Sequence, residues 1–222
     1  MEKHFAQSDD NISAYVADTF KPEDKILKEV RERSAHSNIP LIQVNDMDGL
    51  HIELLIRMSN SKKVVEIGTL AGYSGICIAR GIQKDGILHT IEIDQKHADV
   101  ASESFKKADV SHIVKQHVGS ALQILKTLES EGPFDAIFID ADKISYPQYL
   151  TWAEQNLKVG GIIIGDNTFA WGHIYNNNVK DEALAKSVKA LREFNSRVAS
   201  NPKFRATIFP TGEGLTVAVK IS

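Results

Sequence analysis

From Lys62 to the C-terminus, short runs of β-branched and other apolar residues alternate with longer stretches whose apolar positions recur at helical spacing. That alternation belongs to parallel strands joined by crossover helices and predicts an α/β sheet. Strands are expected at Lys63–Ile67, 87–93, 112–117, Phe134–Ile139, 162–165, Phe204–Phe209 and Leu215–Lys220. Several lack polar alternation, as strands covered by helices on both faces should. The last two are parted only by Pro210-Thr211-Gly212-Glu213-Gly214, too short for a parallel crossover, so they are expected to pair antiparallel as a hairpin.

Before Lys62 the periodicity is helical. Residues 12–20, 22–36 and 48–60 read as helices, the second with Pro22 in its first turn. Without strand partners, residues 1–60 are expected to form a helical extension on a single domain spanning 1–222, covering one end of the sheet or making a subunit contact. No repeat or linker divides the chain.

Composition narrows the classes. Hydrophobic residues at 42% and charged residues at 25% fit a compact globule and exclude disorder. Twenty-six basic against 29 acidic residues give a formal charge of −3, and no basic cluster stands out, which argues against a nucleic-acid partner. The single cysteine, Cys77, excludes an internal disulfide and any multi-cysteine metal site. No stretch approaches the roughly 18 to 20 apolar residues of a spanning helix, and the first residues lack the apolar core of a secretory signal. A cytoplasmic protein away from membranes is expected.

In an open α/β sheet, ligands bind beyond the carboxyl ends of the strands, so the residues that follow each strand carry the candidate chemistry. After the first expected strand comes Glu66-Ile67-Gly68-Thr69-Leu70-Ala71-Gly72-Tyr73-Ser74. Its glycine spacing lacks the middle glycine of the dinucleotide fingerprint, no Gly-Lys-Ser/Thr follows, and the nucleophile-elbow spacing is missing. Glu66 would repel a phosphate and suits a ligand carrying positive charge. Glu92, at the end of the next strand, is placed to accept ribose hydroxyls, while Asp94 is read as a helix cap. A ribose without a phosphate cradle points to a nucleoside such as S-adenosylmethionine.

Two later strands end in polar clusters, Asp140-Ala141-Asp142-Lys143 and Asp166-Asn167. If these strands are neighbours, Asp140, Asp166 and Asn167 converge as oxygen ligands for a hard divalent cation such as Mg²⁺, Ca²⁺ or Mn²⁺. The alternative is that they are caps and turn formers. Tyr146, Phe169, Trp171 and Tyr175 are candidates to sandwich an aromatic ligand or to fill the core. The eight histidines show no metal-ligand spacing, and only His173 lies near these motifs in sequence. Cys77 is expected in the core.

The three motifs together resemble the cation-dependent O-methyltransferases of the caffeoyl-coenzyme A type, with catechol O-methyltransferase more distant, and the resemblance extends from about Leu41 to the C-terminus. It implies a Rossmann-like, seven-stranded, mostly parallel sheet with a reversed C-terminal strand and helices on both faces. It also implies a metal held by Asp140, Asp166 and Asn167. S-adenosylmethionine contacts are implied at Val44, Glu66, Gly68, Thr69, Ser74, Glu92, Ala121, Asp140 and Asp142. Lys143 is the implied base, acting with Asp140 on a small vicinal-dihydroxy aromatic, and a homodimer is implied as well. Thr168-Phe169-Ala170-Trp171-Gly172-His173 and Ile144-Ser145 depart from the plant enzymes, so a coenzyme A thioester acceptor is not assumed. Two alternatives stand beside this reading: a noncatalytic nucleoside-binding or assembly protein, and a nicotinamide-dependent oxidoreductase, which the missing glycine disfavours.

Overall fold

The computed structural model describes residues 9–222, so the first eight positions of the expected extension lie outside the described residues. Three helices, α1 (Asp10–Phe20), α2 (Lys25–His36) and α3 (Asp46–Met58), precede every strand. Each begins on a side-chain cap, from Asp9, Asp24 and Asn45 respectively. The cap sets the start: Asp24 accepts the Leu27 N–H, so α2 begins at Lys25 and Pro22 stands ahead of the helix rather than in its first turn. Asn45 likewise starts α3 two residues before the expected position.

Seven strands, β1 (Lys63–Ile67), β2 (Ile87–Glu92), β3 (Val114–Val118), β4 (Phe134–Ile139), β5 (Leu157–Gly165), β6 (Phe204–Phe209) and β7 (Leu215–Lys220), form one sheet in the order β3-β2-β1-β4-β5-β7-β6. The pairs among β1 to β5 are parallel, and β7 runs antiparallel to both β5 and β6. The mixed sheet with a reversed last strand is thus the predicted one. Two strands differ at their starts. Residues 111–113 wind into a 3₁₀ turn that delays β3, and β5 begins at Leu157 because it pairs with Phe134 across a register shift. That early stretch contains Gly160 at φ +84°, and its Lys-Val-Gly-Gly composition hides the pairing from any apolar pattern.

Strand alternation distributes the core. Val64 in β1 and Ala136 and Phe138 in β4 pack with Leu27 and Val30 of α2, Ile52 and Ile56 of α3, α4 (Tyr73–Gly81) and α5 (Gln95–Lys107). The intervening Val65, Ile67, Ile137 and Ile139 pack with α6 (Ala121–Leu128), α7 (Tyr146–Asn156) and α8 (Glu182–Ser200) on the opposite face. The early helices were expected over one end of the sheet or at a subunit contact; α2 and α3 instead cover one of its faces, whereas α1 buries no residue. Cys77 is buried in α4 as expected. No described helix is long and apolar enough to cross a membrane.

Strand order reverses at β1, which has β2 on one side and β4 on the other, so the crevice beyond β1 and β4 is the ligand position of this architecture. Backbone bonds continue past the strand ends there. Gly68 donates to Ile91 O, Asp140 to Ile67 O, and Asp166 to Ile139 O, which fixes four successive strand ends relative to one another.

Candidate active site

Beyond those strand ends lies a cavity of about 850 Å³, within the range of small-molecule sites. Val44, Gly68, Thr69, Ser74, Glu92, Ala121, Asp140, Asp142, Lys143 and Asn167 line it, while Glu66 and Asp166 stand behind its wall. Gly68 has a steric reason to be glycine: its φ is +99°, and a Cβ would lie 2.0 Å from Asp140 O. The turn after β1 can reach the end of β4 only without a side chain.

At the β1–β2 side, protein donors satisfy the acids. Glu92 Oε2 accepts the N–H groups of Leu70 at 2.8 Å and Thr69 at 3.3 Å, and Oε1 accepts those of Ile93 and Asp94. Glu66 is fully buried and accepts the Ser74 and Thr90 hydroxyls, each at 2.6 Å. Burial pushes its carboxyl up to about 8, against the two hydroxyls and with help from the Asp140 and Glu92 charges. Asp94 caps α5 through the Lys96 and His97 N–H groups, as expected.

The β4–β5 side is built differently. Asp140 accepts only Lys143 Nζ, at 2.7 Å, among the hydrogen bonds of the described side chains. Asp166 is 2% exposed, and its carboxylate accepts only the N–H of Asn167. Burial first, and then the neighbouring Asp140 charge, pushes Asp166 up to about 8. Asn167, at φ +56°, turns its amide N–H to Glu213 in the β6–β7 turn, which leaves the amide oxygen as a donor atom. Asp142 caps the short turn that carries Lys143 by accepting the Ser145 N–H, and it also accepts Tyr149 OH at 2.6 Å. Lys143 is 9% exposed and donates to Asp140 and to Tyr146 Oη.

Among the described residues no three His, Cys, Asp or Glu side chains group to hold a metal. A cation here relies on two carboxylates and one amide. The donor set fits one nonetheless: all three atoms are oxygens, and of the two carboxylates only Asp140 has a cationic partner, Lys143.

Several expectations move. Of the four candidate aromatics only Trp171 lines the cavity; Tyr146 is fully buried and Tyr175 is 82% exposed. His97, not His173, reaches the wall, where Nδ1 stands 3.7 Å from Glu92 Oε1. Residues missed by sequence reasoning are Tyr73, Tyr149, Glu213 and the strap Leu41-Ile42-Gln43. Arg31 holds that strap by donating to Val44 O at 2.9 Å while stacking over Tyr73 at 4.3 Å. His97 was within reach of the strand-end rule extended by one helical turn; Glu213 had no local signal.

Comparison with known proteins gives a consistent picture. The O-methyltransferase family model matches residues 12–221. Catechol O-methyltransferase from Niastella koreensis is 36% identical over 90% of this chain and 89% of that protein. Caffeoyl-CoA O-methyltransferase from Medicago sativa is 31% identical, covering 99% and 92%. The crystal structure of the O-methyltransferase from Bacillus cereus in complex with SAH aligns with a TM-score of 0.87 at 35% identity, covering 95% of this chain and 97% of that one.

Proposed function

The chain belongs to the S-adenosylmethionine-dependent O-methyltransferase family, and from that premise we propose that it is a divalent-cation-dependent enzyme that methylates one hydroxyl of a small vicinal-dihydroxy aromatic. The observation that carries this reading is the juxtaposition of Lys143, Asp140, Asp166 and Asn167 at the ends of β4 and β5, beside a cavity that also contains Glu92 and Thr69.

S-adenosylmethionine, when bound, supplies a methyl group on a positively charged sulfur. A divalent ion on Asp140, Asp166 and Asn167 would favour the phenolate form of the acceptor and fix its two vicinal oxygens. The chain's own residues do the rest. Lys143 stands where it can take the hydroxyl proton, because two of its three N–H positions are directed to Asp140 and Tyr146 and it lines the cavity. Glu92 and Gly68 shape the cofactor end, and Ser74, held by Glu66, presents its oxygen there. Asp142 fixes the turn that carries Lys143. Trp171, half exposed on the rim, offers an aromatic face to the acceptor. Positioning is thereby the larger share of the catalytic work.

The reading extends to a single domain over 1–222 and to a cytoplasmic homodimer. Supporting the dimer, α1 buries none of its residues and exposes Ile12, Tyr15 and Phe20.

The test is methyl transfer by the purified chain to a panel of small catechols, with Mg²⁺, Mn²⁺ or Ca²⁺ and with EDTA, read by product mass. Transfer abolished by EDTA is expected. Transfer indifferent to EDTA rejects the cation, and cofactor binding without transfer favours a noncatalytic nucleoside-binding protein.

A further inference from the structure

We propose that Tyr146 is a positioning residue that fixes Lys143 Nζ through a buried hydroxyl anchored to the ends of both acid-bearing strands; this rests on the reading of Lys143 as the base. Tyr146 was a candidate wall for the acceptor, but it is fully buried and does not line the cavity, so it touches no ligand. Its Oη lies 2.9 Å from Ile139 O, at the end of β4, and 2.9 Å from Asp166 O, just beyond β5.

Both carbonyls can only accept, and a phenol has one proton, so the Tyr146 O–H is committed to them. What remains on Oη is acceptor capacity, and Lys143 Nζ uses it at 3.0 Å. The direction of this bond is therefore fixed: Lys143 donates and Tyr146 accepts. A second N–H of Lys143 goes to Asp140 Oδ1 at 2.7 Å. Two of the three positions on Nζ are thus held, the third makes no hydrogen bond among the described residues, and Lys143 lines the cavity. That third position is where a lone pair has to point to receive an acceptor proton. Without the hydroxyl, Nζ keeps the Asp140 bond and the ring, 4.9 Å from its centroid, but loses the anchor that ties its flexible four-carbon stem to the two strand ends.

The same oxygen joins three things that must keep their spacing: the strand end before Asp140, the backbone of Asp166, and the lysine. The ring contributes differently, packing edge-on against Phe194 at 5.3 Å. Tyr146→Phe keeps that packing and deletes only the hydroxyl, which separates positioning from core filling.

The experiment compares wild type, Tyr146→Phe, Lys143→Ala and the double variant for kcat and KM on a small catechol, for cofactor affinity by calorimetry, and for Lys143 reactivity by limited reductive methylation with formaldehyde, read by peptide mass spectrometry. We expect Tyr146→Phe to lower kcat on the order of 10- to 100-fold, with KM and cofactor affinity within about threefold. In the Lys143→Ala background the second change should add nothing, because the hydroxyl acts through the lysine. Lys143 should label far more slowly than Lys25, which is 90% exposed, and several-fold faster once the hydroxyl is gone. Unchanged kcat and labelling in Tyr146→Phe, or full additivity in the double variant, overturns the proposal. Should wild type methylate no catechol, the proposed function fails while the labelling still decides whether Tyr146 holds Lys143. Should Tyr146→Phe not fold, the wild-type rate decides: Lys143 labelling as fast as Lys25 overturns it.

Discussion

Each end of the cavity has a pair of acids at neighbouring strand ends, one lining it and one behind its wall, yet the two pairs differ in how those acids are satisfied. At the β1–β2 end, Glu92 accepts four backbone N–H groups and Glu66 accepts two hydroxyls, so every carboxylate oxygen has a donor from the protein itself. At the β4–β5 end, Asp140 and Asp166 share one lysine and one N–H between them. A buried carboxylate with few donors is costly, and Asp166, 2% exposed, is held by a single neutral N–H. The first pair is held by the frame, and the second is the one the proposed function draws on. An acid at a strand end therefore says little until its donors are counted.

The sharpest way to break this contrast is Asp166→Asn. If Asp166 holds the proposed cation, the change should lower cation-stimulated methyl transfer on the order of 100-fold or more. Removing the repulsion should also raise the melting midpoint in EDTA, by about 2–4 °C per kcal/mol relieved at this chain length. Calorimetry and turnover together check it, and a lower midpoint in EDTA would mean that the acids are not in excess. Glu92→Ala, by contrast, should destabilise the fold by about 2–4 kcal/mol in urea unfolding with or without a cation, because it strands buried N–H groups. No change in stability would remove Glu92 from the frame.

Glu66 supplies a pH signature. Its folded pKa is about 8 against an ordinary value of 4.5, so between these values the folded state holds the proton more tightly than the unfolded state. Its contribution is most favourable below pH 4.5 and is lost as pH rises toward 8, with a slope of up to about 1.4 kcal/mol per pH unit. Glu66→Gln should flatten that slope in urea unfolding between pH 5 and 8; parallel curves for the two proteins would show that Glu66 does not titrate there. The smallest effect is expected for Ser74→Ala, about 1 kcal/mol of stability from one lost hydrogen bond. It sharpens the comparison, because losing a hydroxyl donor pushes Glu66 still higher and extends the pH-sensitive window upward. A window that shifts downward would contradict the donor role of Ser74.

Much of this was legible in the chain. The apolar runs of β1, β4 and β7, the hairpin across 210–214 and the acidic strand ends are each written within a few consecutive residues, and period, turn length and strand-end chemistry act at that range. What escaped depended on contacts between distant segments. The start of β5 at Leu157 is dictated by pairing with Phe134, and the start of α2 by the Asp24 carboxylate rather than by Pro22. Tyr146, Trp171 and Tyr175 looked equivalent as aromatics, yet only Trp171 reaches the cavity.

The sequence alone determined the α/β class, the reversed last strand and the residue types available at each strand end, since these follow from local periodicity and connection length. Only the tertiary structure decided which of those residues face the cavity and which are consumed by the protein. Glu213 meets Asn167 across 46 positions, and Arg31 reaches the strap from an earlier helix. Charge balance and hydrogen-bond satisfaction are properties of side chains brought together in space, and the fold that brings them together is set by burying the two cores on either side of the sheet.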